Sequence, residues 1–498
     1  MMNTKNEERK KQVAHIIEIP NEYHLVVDDQ KTVDEPLHVL FWEHQDDEEK
    51  NIRITLNRHT GELIELDIDD EEYFQSNDEE INEEKAKEIA HLFVKKYIPN
   101  EYEASTYIYV EDWCGMHAVH YVQEVNGYPL PNTGCIVRVH PSGNVVAFRN
   151  HNGLKEKPVW PDSIADKEIV LKELKDRQDM RLVFAQLSPD LCEYENGKEA
   201  GGYRLVYEPV PRVRFIDACT GKDLHEPEHY QPAPAVAVSA PQMNDKQETD
   251  MFRLLALDEE EFVKISEAEY DNEIRMKFVP REELESEQEE NQTYLMDDFY
   301  KKHSPMLRYE NPMVIGIDKE SNILLHYFNL VPEREGKVIL SREECLKKAL
   351  QFLEQVIPNA TEYLHLWDNY DEAESPGRFY FDVYVNGIPV DCSLVMMNID
   401  TETGNVIMYS GIALGVIEEL RTYETNAKIG KEQALETYRD ALRVELQWHE
   451  NHDIDLSKYE LIYKQTTVES SEAYHINFVM RREIRYIDAH TGEVIWSK

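Results

Sequence analysis

Two clusters in this chain carry side chains that can bind a metal or move a proton. Cys114, His117 and His120 offer a thiol and two imidazoles at short spacing, and zinc takes such ligands when they converge on one point. They fall where a loop enters a strand, and strand residues an odd number of positions apart leave opposite faces. A packed strand histidine is the plainer reading. His449, His452 and Asp453 form the second cluster, following the apolar positions Ala434, Leu435, Tyr438, Ala441 and Leu442. At i, i+3 the two histidines would share a helix face; a solvated helix end, with imidazole near the negative pole, accounts for them as well. Asp217, Asp400 and Asp488 each open a turn, where a short carboxylate bonds the backbone two residues on. One carboxylate per turn supplies too few oxygens for calcium. The chain has no Gly-x-x-x-x-Gly-Lys-Ser/Thr loop, no Gly-x-Gly-x-x-Gly and no Gly-x-Ser-x-Gly, which leaves nucleotide and serine-hydrolase chemistry without a motif. No catalytic, cofactor-binding or metal residues are assigned, and no cofactor is expected.

The elements that would position these residues repeat. Ile98-Pro99-Asn100 returns as Ile357-Pro358-Asn359, an offset of 259; Val125-Asn126-Gly127 returns as Val385-Asn386-Gly387, an offset of 260. Gly143-Asn144-Val145 returns as Gly404-Asn405-Val406, an offset of 261, and Arg214-Phe215-Ile216-Asp217 as Arg485-Tyr486-Ile487-Asp488, an offset of 271. A drift in one direction marks a duplication with insertions. Within the first half, Ile19-Pro20-Asn21-Glu22-Tyr23 recurs as Ile98-Pro99-Asn100-Glu101-Tyr102. Closing turns end at Gly61, Gly143 and Gly221, then at Asn322, Gly404 and Gly492. Asparagine at one of these positions fits a backbone that needs positive φ.

Ala86, Ile89, Ala90, Phe93, Val94 and Tyr97 lie on one helical face, as do Cys345, Ala349, Phe352, Leu353 and Val356. Ser341 and Glu344 form a capping box, and Pro99 and Pro358 stop the two helices. Strands follow: Val119, Tyr121, Gln123 and Val125 alternate, as do Phe379, Phe381, Val383 and Val385, and each series ends on an Asn-Gly hairpin. The expected fold is α+β and internally duplicated, with a helix packed on an antiparallel sheet in each unit. The expected organisation is a first half at 1–225 (units near 1–70, 80–152 and 160–225) and a second half at 258–498 (units near 258–332, 340–412 and 418–498). Between them lies a Pro/Ala-rich linker at 226–257, whose prolines predict a stiff extended spacer.

Fifty-three basic residues against 99 acidic ones leave a net charge of −46, which repels phosphate backbones and anionic lipid. Nucleic acid and membrane are therefore not expected partners. No apolar run reaches membrane-span length, and the N-terminus lacks the unbroken apolar stretch of a signal peptide. Six scattered cysteines fit reduced thiols, and the expected location is cytoplasmic.

The Val-Asn-Gly hairpins at Asn126-Gly127 and Asn386-Gly387 resemble the YcdB/YcdC repeated domain of Bacillus-type bacteria. So do the turns Ser142-Gly143, Thr220-Gly221, Thr403-Gly404 and Thr491-Gly492. That family is related to the PepSY domain of thermolysin-like peptidase propeptides. The resemblance covers most of the chain outside the linker and Asp258 to about Glu310. It implies tandem PepSY-like units and a non-enzymatic protein-binding or regulatory role, with restraint of a peptidase as one form and a protein as the partner. Many relatives are exported, whereas this chain shows no export signal. Two alternatives stand beside it: an enzyme whose site forms between units, using His449 and His452, and a structural spacer of elongated shape.

Overall fold

The computed structural model describes residues 2–30, 36–70, 80–151, 156–241, 251–255, 257–270, 272–284, 295, 312–329, 339–368, 376–451, 459–467 and 482–498. Local signals fold as their chemistry requires. Helix Glu83–Tyr97 begins where the Asn82 side chain accepts from the Lys85 amide, and it buries Ala86, Ala90 and Val94. Helix Arg342–Val356 carries the reciprocal Ser341–Glu344 capping box. Asn126 and Gly127, and likewise Asn386 and Gly387, all adopt positive φ, as a two-residue hairpin requires. Asn322 takes φ 55°, in a turn whose sisters place glycine at 71° to 86°. In that turn the Asp318 carboxylate accepts from the Ser321 amide at 2.7 Å; Asp400 and Asp488 do the same at Glu402 and His490.

The first sheet is antiparallel. Its first four strands are β1 (Tyr23–Gln30), β2 (Leu37–His44), β3 (Asp47–Asn57) and β4 (Leu63–Asp69). A second series follows: β5 (Ser105–Trp113), β6 (Met116–Val125), the short β7 (Tyr128–Pro129), β8 (Cys135–Val139) and β9 (Val145–Asn150). Across the sheet the order is β1-β2-β3-β4-β9-β8-β6-β5, so two segments drawn as successive units share one sheet through the β4–β9 pairing. Its core holds Trp42, Ile54, Val94, Val119, Tyr121 and Phe148.

The second half repeats this order. After β10 (Asp179–Leu187), β11 (Cys192–Tyr194), β12 (Gly202–Val210), β13 (Phe215–Asp217) and β14 (Ala235–Ala237) come β15 (Phe262–Tyr270), β16 (Glu273–Pro280), β17 (Met313–Asp318) and β18 (Leu324–Asn329). Then come β19 (Leu364–Trp367), β20 (Arg378–Val385), β21 (Ile388–Ile399) and β22 (Val406–Ser410). The path β15-β16-β17-β18-β22-β21-β20-β19 reproduces the first sheet strand for strand. Leu66 opposes Phe148 in one sheet and Tyr327 opposes Tyr409 in the other, each shifted by 261. The hard-to-align stretch from Asp258 holds β15 and β16. It is followed by an insertion at 281–312, where the first sheet has only a turn between His44 and Asp47.

The segments near 160–225 and 418–498 follow chain order in sequence but alternate in space. The last strands are β23 (Arg443–Glu450), β24 (Tyr459–Thr466), β25 (Ile484–Asp488) and β26 (Val494–Ser497). β12 takes β25 as its neighbour, and β24 takes β13. Each segment thus gives its closing strand to the other. The bonds are symmetric: the Ala218 amide donates to Leu461 O, and the Ala489 amide donates to Leu205 O. Helices follow the strands. Lys431–Ala441 lies on β10 and β12, while Lys167–Arg177 lies on β23.

Two expectations change. The linker is not a free spacer in its described part: Tyr230 is buried, and Ala235–Ala237 pairs antiparallel with β19 as an added edge strand. Small side chains and an extended proline-flanked backbone suit that edge as well as they suit a spacer. The helix after Gly430 ends at Ala441, so His449 stands on strand β23 opposite Glu460 rather than at a helix end. Valine, tryptophan and alternating burial along Val444–Glu450 favour the strand.

Candidate functional site

Alternation sorts β6 into two faces. Val119 and Tyr121 point into the core beneath helix Glu83–Tyr97, and His117 joins that side, with Nε2 3.2 Å from the Ile81 carbonyl. Ala118, His120 and Val122 point to the opposite, helix-free face. Cys114 is exposed in the β5–β6 turn at φ 51°. The first cluster is therefore not brought together. Of the second, the His449 ring stacks on Phe215 at 5.0 Å, while His452 and Asp453 lie outside the described residues. Among the described residues no group of three or more His, Cys, Asp or Glu side chains is placed to hold a metal.

The helix-free face of the first sheet holds a cavity of about 400 Å³. Its floor follows from register. One row across the strands reads Asp67, Ala147, Arg138, Ala118, Glu111; the next reads Glu65, Arg149, Ile136, His120, Tyr109. Two alanines leave space on either side of Arg138. Strands lie about 4.8 Å apart, so the nearest row carboxylates, two strands away, start roughly 10 Å off at the backbone. The Arg138 guanidinium instead lies over the Trp113 ring, 4.7 Å from its centroid, an attraction between cation and ring quadrupole. Among the described residues neither Arg138 nor Arg149 has a carboxylate within ion-pair distance.

The walls are more committed. His120 stacks on Tyr109 with centroids 4.3 Å apart and planes 8° apart, and its Nε2 is 3.2 Å from Glu111 Oε2. Glu65 meets Arg53 at 3.3 Å and accepts from Thr55. Burial, with Glu65 beside it, pushes the Asp67 carboxyl above its ordinary range, and Arg138 pulls the other way without reversing it. Burial holds the His151 imidazole below its usual value, and Arg149 adds to this. At the rim, Asn132 Nδ2 donates to Glu450 Oε2 at 2.7 Å, which ties the cavity mouth to β23. The arrangement can bind and orient a polar ligand. Among the described lining residues it offers no serine or lysine, and its cysteine, Cys135, is buried with its thiol pushed far up by burial, which keeps it from acting as a nucleophile.

Of this face only His120 was singled out from the sequence, because its residues come from five strands. The usable signal was the alternation itself: residues between Val119 and Tyr121 must face away from the helix, and the offset of 260 pairs Arg138 with Asn398.

Comparisons with known proteins find relatives of this chain in Bacillus. The uncharacterized protein YcdB of Bacillus subtilis (strain 168) is 26% identical over 509 residues, spanning 99% of this chain and 98% of that protein. The uncharacterized protein YcdC of the same strain is 22% identical over 463 residues, spanning 92% and 96%. Among solved structures, the Bacillus megaterium YpeB C-terminal domain aligns with 44% of this chain and 95% of its own, at 15% identity and a TM-score of 0.27. The family model described as the YcdB, YcdC repeated domain matches residues 6–152 and 260–413. Those two stretches contain β1–β9 and β15–β22, the two sheets of identical strand order. This chain belongs to that family.

Proposed function

We propose that the chain is a non-enzymatic binding protein that holds a protein partner against the helix-free face of its first sheet. The observation that supports this reading is the cavity of about 400 Å³, in which register places two short side chains around an arginine that has no ion pair among the described residues. Pockets of this size bind ligands through a few placed polar groups on an apolar frame. Its walls hold no nucleophile–base pair among the described residues. The same reading treats the six segments as PepSY-like units, of which the second and its neighbour provide the face. Affinity capture from the native host tests it: a stoichiometric protein retained through washing is the expected outcome, and a chain that returns alone sinks the proposal.

Restraint of a peptidase, which the PepSY resemblance implies, is a narrower form of this role. It predicts slower turnover of a thermolysin-type metallopeptidase when the purified chain is added; an unchanged rate removes it.

A further inference from the structure

We infer that the cavity of the first sheet takes a ligand bearing a single carboxylate, which docks on the Arg138 guanidinium while its apolar part lies along Trp113, Tyr109 and His120. This rests on the reading of the cavity as the binding face and names what it recognises.

In a chain of 99 acidic and 53 basic residues carboxylates outnumber cations, so an unpaired guanidinium lining a cavity is a place where an outside anion can dock. Arg138 is half-buried, lies over Trp113 and has no ion pair among the described residues. Ala147 and Ala118 flank it in the row, and all three line the open volume of the cavity. A guanidinium presents a planar fork of N–H donors that matches a carboxylate bidentately. Stacking on Trp113 holds that plane and lowers the ordering cost of the bound state.

The surroundings select among anions. Glu65, Asp67 and Glu111 line the same cavity. A phosphate dianion would meet three carboxylates against two guanidiniums, whereas one negative charge on Arg138, with Arg149 nearby, is tolerated. The aromatic wall favours a carboxylate attached to an apolar or aromatic body, as at the C-terminus of a peptide. The second sheet shows the alternative: Asn398 occupies the Arg138 position, between Met408 and Arg378, and offers no such anchor.

The probe is N-acetyl-fluorophenylalanine, followed by fluorine NMR with the full chain and compared with its uncharged amide and with orthophosphate as competitor. The expected result is saturable binding of the carboxylate about ten-fold or more tighter than the amide, since a charge-assisted hydrogen bond contributes that much. Arg138→Gln should make acid and amide equal, Arg138→Lys should restore part of the preference, and orthophosphate should not displace the probe. Ala147→Trp, which fills the cavity and leaves Arg138 in place, should abolish binding of both. Equal affinity of acid and amide for the unaltered chain, no change in Arg138→Gln, displacement by orthophosphate, or no saturable binding would each overturn the inference. Host-protein capture with the Arg138→Gln chain separates the two readings. A partner still retained, with no carboxylate preference in the unaltered chain, defeats the carboxylate anchor and spares protein binding. A carboxylate preference with no partner captured does the reverse.

Discussion

The two duplicated sheet regions, β1–β9 and β15–β22, share strand order, register and a buried aromatic layer, and they differ on the face turned away from the helices. In the first, one row across the strands carries Glu65, Arg149, Ile136, His120 and Tyr109; the matching row of the second carries His326, Ser410, Met396, Tyr380 and Trp367. The stacked ring pair survives the change. Tyr109 and His120 lie 4.3 Å apart, and Trp367 and Tyr380 lie 5.2 Å apart. What does not survive is the arginine between two alanines. Duplication has kept the side that makes the fold and altered the side proposed to bind, which is where a binding role can diverge without cost to the core.

The largest effects test the shared side. Tyr121 and Phe381 are equivalent positions, both fully buried. Truncating either to alanine should cost about 3–5 kcal/mol, the range for a buried aromatic. Denaturant unfolding checks this, and a cost under about 1 kcal/mol at one of them would mean the two cores are not equivalent.

The joint between the halves comes next. Arg212 bridges Glu208 at 2.9 Å and Asp391 at 2.7 Å, and Tyr486 donates to the same Asp391 carboxylate at 2.5 Å. Burial opposes ionisation of Asp391, but the Arg212 charge and the hydrogen bonds from Tyr486 and Arg212 outweigh it and hold the carboxyl below its usual range. Tyr486 is pushed up to about 12, chiefly by burial. A depressed carboxyl stabilises the fold above its unfolded pKa near 3.9, and that stability is lost as pH falls toward the lower folded value. Asp391→Asn should therefore cost about 2 kcal/mol at neutral pH, less than a fully buried pair because Arg212 is 36% exposed. It should also flatten the loss of thermal stability below about pH 4. Equal acid sensitivity in the variant would show that the bridge does not report on this joint.

The turns give the smallest effects. Gly61→Ala should cost about 1 kcal/mol, since its φ of 72° disfavours any Cβ although nothing crowds the site. Asn322→Gly should move stability by only a few tenths of a kcal/mol, because asparagine already tolerates φ 55°. Similar losses at both positions would break the equivalence of the closing turns.

The sequence exposed what local chemistry decides. Turn residues, the Ser341–Glu344 box, the prolines after each helix and the alternation around Val119 all fold as their side chains dictate. Three features depended on distant partners and were not legible. The exchange of β13 and β25 needs knowledge of which edge each strand finds, and both edges accept the same Ile-Asp turn. His449 followed a helical pattern that ends at Ala441, and the next stretch is strand β23, paired with β24. The cavity gathers residues from Glu65 to His151, and no local window contains its floor.

The central claim is that the first helix-free face binds a partner and its duplicate does not. Ala147 and Met408 occupy equivalent places, Ala147 opposite Asp67 and Met408 opposite Phe328. Affinity capture from the native host with Ala147→Trp and Met408→Trp chains, each checked for unaltered unfolding, measures the difference directly. The account predicts that Ala147→Trp loses the captured protein while Met408→Trp keeps it. Retention by Ala147→Trp, or loss only in Met408→Trp, would contradict it.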